Sequence, residues 1–260
     1  MKQTINNKLQ DIKVDVVIPV LNEAHVLAKS VSTVWEFLRD NLKYRWKIII
    51  VDNGSTDGTS DVAGKLTEKF RDVELICLDV KGRGRALREA WQRSSADVVL
   101  YTDVDLSTEL AALPKLVDAL VLEGYDISTG TRLARGANTK RCFKRELTSR
   151  AYNLIVKCIL LTKFSDAQCG FKAVTRDVVK TIVPQVKDQG WFFDTELMVL
   201  AEKQGRRIKD IPVTWIEDDD SRVKIIQTAF QNIKGLLRLR WLLLKKLFIK
   251  PDVKVGKIRY

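Results

Sequence analysis

The chain has 260 residues, with 45 Lys and Arg against 33 Asp and Glu, which gives a formal net charge of +12. Its hydrophobic fraction of 45% is ordinary for a globular protein, and its length suits one large α/β domain or at most two small ones. No run of 18 uncharged apolar residues occurs, so no ordinary transmembrane helix is expected, and the single histidine, His25, argues against a histidine-based metal site.

The first half of the chain alternates between strand and helix patterns. Short apolar and β-branched runs predict buried strands at Val14–Val20, Lys47–Val51, Val73–Leu78, Asp97–Thr102 and Asp126–Gly130. Helical spacing of apolar residues predicts intervening helices at Glu23–Leu38 and Ser60–Phe70, a third ending at Arg93 and a fourth ending near Glu123. This alternation predicts a mainly parallel sheet flanked by helices.

The second half is less regular. It predicts helices at Arg145–Leu161 and Phe193–Gln204, and strands within Asp166–Val174 and at Ile208–Trp215. Cys77 and Cys158 lie in apolar stretches and are expected to be buried. The simplest organisation is an α/β domain, residues 1–222, followed by a C-terminal extension, residues 223–260.

Three polar loops follow predicted strands, at Asp52–Thr59, Asp79–Gly84 and Asp103–Ser107. Ligands of parallel sheets bind beyond the carboxyl ends of the strands, so these loops should converge on one cleft. Asp103 and Asp105 could together bind one hard divalent cation and, through it, a diphosphate. A solvated acidic turn is the alternative interpretation of this pair.

The other two loops carry groups suited to a nucleotide. Asp52 could accept a hydrogen bond from a nucleobase, or could simply cap its own turn. Lys81, Gly82, Arg83 and Gly84 supply cations and small residues at a helix start, which suits a phosphate or a base edge, although a solvated basic turn is also possible.

The order and spacing of six motifs resemble those of inverting family 2 glycosyltransferases with the GT-A fold. Within that family the resemblance is to the dolichyl-phosphate glucosyltransferase and dolichyl-phosphate mannose synthase group, and the glucosyltransferase side is closer. The matching stretches are VVIPVLNE at Val16–Glu23, VDNGSTDGT at Val51–Thr59, KGRG at Lys81–Gly84, TDVDLST at Thr102–Thr108, DAQCGFK at Asp166–Lys172 and FDTEL at Phe193–Leu197.

The resemblance implies a role for each motif. Asp103 and Asp105 would hold Mg²⁺ or Mn²⁺ together with the diphosphate of a nucleotide sugar. The remaining donor-binding residues would be Pro19, Leu21, Glu23, Asp52, Lys81 and Gly82, with Arg222 and Lys224 closing over the diphosphate. Mannose synthases of the group often have Gln where this chain has Ser107, so a third protein ligand for the cation is not implied here.

The same resemblance places other side chains near the sugar and the acceptor. Asp166 and Gln168 would lie near the sugar or the cation, and Asp194 near the acceptor. A phosphate acceptor carries an anionic oxygen at pH 7, because its second pKa is about 6, whereas a hydroxyl acceptor needs a general base. Basic residues around the start of the predicted Arg145–Leu161 helix could grip such a phosphate, and those preferred are Arg132, Arg145 and Arg150.

The activity expected from these observations is transfer of a hexose, with UDP-glucose favoured as donor, to polyprenyl or dolichyl phosphate. The alternatives are transfer to a saccharide hydroxyl, with Asp194 as the first candidate base, and a GDP-mannose-dependent polyprenyl-phosphate mannosyltransferase. A non-catalytic nucleotide-sugar-binding protein is a third alternative, against which the intact Asp103 and Asp105 pair argues. The sequence leaves the oligomeric state open.

The excess positive charge lies at the C-terminal end. Eleven basic residues and one acid occur between Ser221 and Tyr260, so this segment carries +10 and the preceding 220 residues carry about +2. Because the charge is confined to this end and no RNP, KH or zinc motif occurs, we expect no nucleic-acid partner.

Within this segment, Val223–Lys250 predicts an amphipathic helix with a broad apolar face edged by Lys and Arg, in which Gly235 would allow a bend. Such a helix suits an anionic membrane surface, which predicts peripheral attachment at the cytoplasmic face. Packing on the domain, or a dimer contact, is the alternative.

Overall fold

A seven-stranded sheet forms the centre of the computed structural model, which describes residues 10–140, 143–216 and 225–248. The strands, in chain order, are β1 (Lys13–Val20), β2 (Arg45–Asp52), β3 (Val73–Cys77), β4 (Val98–Thr102), β5 (Ile127–Thr131), β6 (Asn138–Lys140), β7 (Phe171–Thr175), β8 (Ile208–Pro212) and β9 (Thr214–Ile216). The α-helices are α1 (Ala24–Asn41), α2 (Thr59–Lys69), α3 (Arg83–Arg93), α4 (Leu113–Val121), α5 (Phe143–Leu160), α6 (Arg176–Thr181), α7 (Phe193–Lys203) and α8 (Ile225–Phe248).

The strand order of the sheet is β3-β2-β1-β4-β7-β5-β8, and every pairing is parallel except those of β7 with β4 and β5. The predicted mainly parallel sheet with flanking helices is therefore confirmed. The single strand predicted at Ile208–Trp215 is wrong. It divides after Pro212 into β8, at the edge of the large sheet, and β9, which pairs with β6 in a separate two-stranded sheet.

Two hydrophobic cores cover the two faces of the sheet, because alternate residues of each strand point to opposite sides. In β1, Val16 and Ile18 face the core that packs against α1, α2 and α4. Val17 faces the core built from α3, α5, α6, α7 and α8. Since both faces are covered, the central strands consist of continuous apolar runs, which is the pattern that made them recognisable in the sequence.

Two of the three described cysteines are exposed, so the prediction that Cys77 and Cys158 are buried is wrong. Cys77 ends the edge strand β3, and Cys158 lies on the outward side of α5, whose inward side contributes Val156 and Leu160 to the core. Cys169 is the buried cysteine of the three. An apolar stretch near an edge strand or on a surface helix has one side in solvent, which the one-dimensional pattern does not show.

Helix α8 packs on the domain with one side, where Leu236 and Leu239 are almost completely buried. A Cβ at Gly235 would lie 2.4 Å from Cδ1 of Phe192, so this glycine permits close approach of the helix to the domain. The helix runs without interruption from Ile225 to Phe248, through Gly235. Among the helices that the structure describes, none is long and apolar enough to cross a bilayer.

Candidate active site

The three polar loops predicted to converge do meet at the carboxyl edge of the sheet. The amide of Asn22, in the turn after β1, donates to Oγ of Ser55 at 2.8 Å, which joins that turn to the Asp52–Thr59 loop. The amide of Gly82, in the Asp79–Gly84 loop, donates to Oδ1 of Asn53 at 3.0 Å, which joins this loop to the Asp52–Thr59 loop. Nη2 of Arg83, at the start of α3, donates to Oδ1 of Asp103 at 2.7 Å, so the three polar loops lie together at this edge, as predicted.

Asp52 stabilises its own loop. It is 2% exposed, its Oδ1 accepts the Ser55 amide at 3.0 Å, and its Oδ2 accepts the hydroxyl of Ser60. The turn-capping interpretation of this residue is the one that the described contacts support. Nearby, Pro19, Leu21 and Glu23 follow in sequence along the end of β1 and are each half-buried.

Asp103 and Asp105 follow β4 directly. The Asp103 carboxylate is 39% exposed, and its Oδ1 accepts a hydrogen bond from Nη2 of Arg83 at 2.7 Å. Oδ1 of Asp105 accepts the backbone amide of Ser107 at 3.0 Å. Leu106, between Asp105 and Ser107, has a φ of +51°, a strained conformation for a leucine. Its side chain packs against the core that α1, α2 and α4 cover.

Gly170 provides the space in which the Asp103 carboxylate lies. A Cβ at position 170 would be 1.7 Å from Oδ2 and 2.6 Å from Cγ of Asp103, so the carboxylate occupies the place of the missing side chain. This glycine belongs to the DAQCGFK motif, and its role became visible only when β7 was placed beside β4.

The oxygens of Asp103 and Asp105 fit Mg²⁺ or Mn²⁺, which prefer carboxylate ligands. Within the described residues no group of three or more His, Cys, Asp or Glu could hold a metal ion. In proteins, Mg²⁺ usually binds through one or two carboxylates together with substrate phosphates and water.

A buried network of charges lies directly behind Asp103. Asp194, at the start of α7, is 3% exposed and pairs with Nη1 of Arg83 at 2.6 Å and with Nζ of Lys172 at 3.3 Å. Its Oδ1 also accepts the hydroxyl of Tyr101 at 2.5 Å. Burial raises the pKa of Asp194, but the positive charges of Lys172 and Arg83 outweigh burial and lower it.

Asp166 and Arg132, which the sequence assigned to different roles, are partners. Nε and Nη2 of Arg132 bond the two oxygens of Asp166 at 2.8 and 3.0 Å, and the Gln168 amide donates to Oδ1 at 3.1 Å. Although burial of Asp166 opposes ionisation, the charge of Arg132 lowers its pKa to about 2. The guanidinium of Arg132 lies 5.7 Å from the ring of Trp215.

The remaining predicted residues are less closely tied to this site. Arg150 has a side chain 59% exposed that pairs with Glu146 one turn earlier in α5. Lys81 is exposed in the loop before α3. The side chain of Arg145 and both Arg222 and Lys224 lie outside the described residues.

Sequence reasoning named Arg83 only as one cation of its loop, and it assigned no role to Tyr101, Gly170, Lys172 or the exposed Trp191. Arg83 and Lys172 belong to the KGRG and DAQCGFK motifs, so the motifs identified the segments but not which of their side chains face the cleft. Asp194 is 111 residues from Arg83, a separation that no local pattern could bridge.

Acidic pH should weaken the Asp166–Arg132 pair. The folded-state pKa of Asp166 is about 2, below the ordinary 3.8, so its stabilising contribution is present above pH 4 and is lost as the pH falls towards 2. We expect Asp166→Asn to lower the free energy of unfolding by about 3 kcal/mol at pH 7, because Arg132 is left buried without its counter-charge.

The difference in the free energy of unfolding between Asp166→Asn and the wild type should shrink below pH 4. Urea denaturation across this range measures it, with the exposed Asp72→Asn as control. A difference that stayed constant from pH 7 to pH 2 would contradict the assignment.

The mostly parallel sheet flanked by helices is the GT-A fold. The chain belongs to the family described as glycosyl transferase family 2, which it matches over residues 15–183, more than half of its length. The family and the fold that the sequence motifs indicated are both confirmed.

Named relatives share much of this chain. It is 32% identical over 244 residues to "Glycosyltransferase AglD" of Haloferax volcanii, covering 93% of this chain and 38% of that protein. It is 28% identical over 253 residues to the dolichyl-phosphate beta-glucosyltransferase of Saccharomyces cerevisiae, covering 89% of this chain and 75% of the yeast protein.

Solved structures agree on the fold. Glucosyl-3-phosphoglycerate synthase from Mycobacterium tuberculosis, in complex with Mn²⁺, UDP and glucosyl-3-phosphoglycerate, superposes with a TM-score of 0.69 at 19% identity, covering 98% of this chain and 88% of the synthase. The same synthase has been solved with Mg²⁺ and UDP.

Proposed function

We propose that this glycosyltransferase moves a hexose, with inversion, from a nucleotide-diphosphate sugar to the phosphate of a polyprenyl or dolichyl lipid. UDP-glucose is the first candidate donor. The observation that carries the proposal is the environment of Asp194, the first candidate for a general base, which is buried and paired with Arg83 and Lys172. The name of the yeast relative, a dolichyl-phosphate beta-glucosyltransferase, supports the same acceptor.

A hydroxyl acceptor would need a carboxylate able to take its proton. Asp194 is enclosed by Arg83, Lys172 and Tyr101, and its lowered pKa makes it a weak base. Asp166 is fully buried against Arg132 and has a pKa of about 2. A phosphate acceptor, with a second pKa of about 6, attacks without losing a proton and needs only positioning and charge neutralisation.

Asp103 and Asp105 would hold Mg²⁺ or Mn²⁺ against the donor diphosphate. When bound, the cation neutralises the negative charge of the departing nucleotide diphosphate. Pro19, Leu21 and Glu23 would border the nucleoside. The remaining proposed donor contacts are Asp52, Lys81, Gly82, Arg222 and Lys224.

Arg132 would position the acceptor phosphate. Its pair with Asp166 uses Nε and Nη2, so Nη1 is the guanidinium nitrogen outside that pair. Asp166 would orient the guanidinium, and Gln168, half-buried beside it, would face the sugar. Arg145 and Arg150 are the proposed outer contacts of the phosphate. An acceptor oxygen then attacks the anomeric carbon as its bond to the diphosphate breaks, which inverts that centre.

The activity is tested with the full chain, Mn²⁺ or Mg²⁺ and radiolabelled donor. We expect transfer of glucose from UDP-glucose to dolichyl phosphate in detergent, and much less transfer from GDP-mannose or to soluble glycans. The rate should show no inflection between pH 7 and 8, where the acceptor phosphate, with a second pKa of about 6, is already ionised. Preferred transfer to a glycan hydroxyl would overturn the proposal, and preferred use of GDP-mannose would replace the donor assignment.

We also propose that α8 attaches the protein peripherally to an anionic membrane surface, at the cytoplasmic face. The helix buries Leu236 and Leu239 but exposes a second apolar stripe, with exposed fractions of 72% for Phe230, 55% for Ile233, 60% for Leu237 and 60% for Trp241. Exposed Lys234 and Lys245 accompany this stripe. An apolar stripe edged by lysines suits the interface of an anionic bilayer, where the acceptor lipid lies.

Replacing Phe230, Leu237 and Trp241 together by serine should weaken binding to phosphatidylserine-containing vesicles by about tenfold or more, because three apolar side chains no longer enter the interface. Vesicle sedimentation measures the binding. Point substitutions are preferable to truncation because α8 also contributes Leu236 to the core. The matched control is Leu122→Ser, an exposed leucine directly after α4 on the other face of the sheet. Unchanged binding of the triple variant would refute the attachment.

A further inference from the structure

Arg83 joins the proposed cation ligand Asp103 to the buried Asp194. Its two terminal nitrogens bond them separately, Nη2 to Asp103 at 2.7 Å and Nη1 to Asp194 at 2.6 Å. The guanidinium carbon also lies 4.9 Å from the ring centroid of Tyr101 and 5.0 Å from that of Trp191. The side chain is only 11% exposed, so this guanidinium is a fixed part of the site.

The contacts behind Arg83 oppose its displacement. Asp194, its inner partner, is itself held by Tyr101 and Lys172. Moving the guanidinium away from Asp103 would also break the ring contacts with Tyr101 and Trp191. A divalent cation that binds Asp103 therefore has a fixed positive charge beside it, and like charges at such short range repel strongly in a partly buried site.

We propose that Arg83 makes cation binding at Asp103 conditional on the nucleotide diphosphate. Without the diphosphate, Arg83 neutralises Asp103 and repels a divalent ion. The negative charges of the diphosphate offset that repulsion, so the cation and the nucleotide bind as a unit. Arg83 is thus a positioning residue that also couples binding of the cation to binding of the nucleotide. The inference rests on the proposed donor site, and it does not depend on which acceptor the enzyme uses.

The test measures Mn²⁺ binding to the full chain by electron paramagnetic resonance of free Mn²⁺, with and without UDP. For the wild type we expect weak binding of Mn²⁺ alone and binding at least tenfold tighter with UDP. In Arg83→Gln, Mn²⁺ alone should bind about tenfold more tightly than in the wild type, while donor turnover falls because Asp103 has lost its orienting partner. Formation of the Mn²⁺–UDP complex in solution is the same for all variants, so differences between them report on the protein.

Two further variants separate charge from structure. Arg83→Lys retains the positive charge but cannot bridge two carboxylates in the same way, so it should keep the wild-type dependence on UDP and still lose turnover. Arg93 is an exposed arginine on the same helix, and Arg93→Gln should change neither the dependence of Mn²⁺ binding on UDP nor the turnover. If Arg83→Gln does not fold, the nitrogen resonances of the Arg83 side chain in the wild type provide the test. They should shift with Mg²⁺ and UDP together, and not with Mg²⁺ alone.

Mn²⁺ binding to Arg83→Gln that is no tighter than to the wild type would overturn the inference. A shift of the Arg83 resonances with Mg²⁺ alone, or equal Mn²⁺ affinity of the wild type with and without UDP, would do the same. Absence of Mn²⁺ binding under all conditions would overturn the proposed cation site together with this inference. Failure of transfer to dolichyl phosphate would leave the binding result standing.

Discussion

Replacing Gly170 by alanine should reduce sugar transfer by about 100-fold or more while leaving the protein folded, because misplacing a reacting group by about 1 Å can cost that much. The added Cβ would lie 1.7 Å from Oδ2 of Asp103, so the carboxylate has to rotate away from its present position. That rotation breaks its hydrogen bond with Arg83 and moves a proposed cation ligand. The backbone need not move, because the atom in conflict is the end of a side chain.

The matched control is Gly64→Ala in α2, where an added Cβ would meet no atom within 4 Å. This control should keep full activity. It should melt at the same or a slightly higher temperature, because alanine is more favourable than glycine in a helix by up to about 1 kcal/mol. Turnover of UDP-glucose and thermal melting are measured for both variants. Full activity of Gly170→Ala would show that the position of the Asp103 carboxylate is not critical.

Replacing Asp105 by asparagine should have the second large effect, a loss of turnover of about 100-fold or more, because removing one preorganised electrostatic contact to developing charge typically costs that much. The asparagine oxygen can still accept the Ser107 amide that Oδ1 of Asp105 accepts at 3.0 Å, so the strained turn at Leu106 should persist. The substitution therefore removes charge while preserving geometry. Mn²⁺ should also bind the variant more weakly in the presence of UDP.

The control for this substitution is Asp40→Asn, which removes an exposed carboxylate paired with Arg39 on α1. It should leave turnover and cation dependence unchanged. If Asp105→Asn retained full turnover with the same requirement for Mn²⁺ or Mg²⁺, the proposed donor chemistry would lose its foundation. Equal losses in both variants would point to a general effect of charge instead of a cation site.

The central strands could be predicted from the sequence because both of their faces are buried, which leaves a continuous apolar run such as Ile48–Val51. The direction of β7 could not be predicted. The short run FKAVT carries no sign of whether its neighbours run parallel or antiparallel to it, and that pairing is what places Gly170 against Asp103.

For the C-terminal helix, too, the sequence predicted the element but not which of its residues are buried. Its composition predicted an apolar face edged by cations, and α8 does expose such a stripe at Phe230, Leu237 and Trp241. The sequence did not distinguish this stripe from the residues that pack on the domain, Leu236 and Leu239, because both sets are apolar and occur at helical spacing. Whether the exposed stripe contacts a membrane stays a prediction.

The sequence by itself determined the α/β class and the family, because each strand, helix and motif is a local pattern in the chain. It also determined which loops meet, because the loops that follow parallel strands lie at the same edge of the sheet. Only the tertiary structure decided which charges are partners. Arg83 contacts carboxylates 20 and 111 residues away, and Arg132 pairs with Asp166, 34 residues along the chain. Such pairs form because a buried charge needs a counter-charge within hydrogen-bonding distance, and only the folded backbone brings the two together.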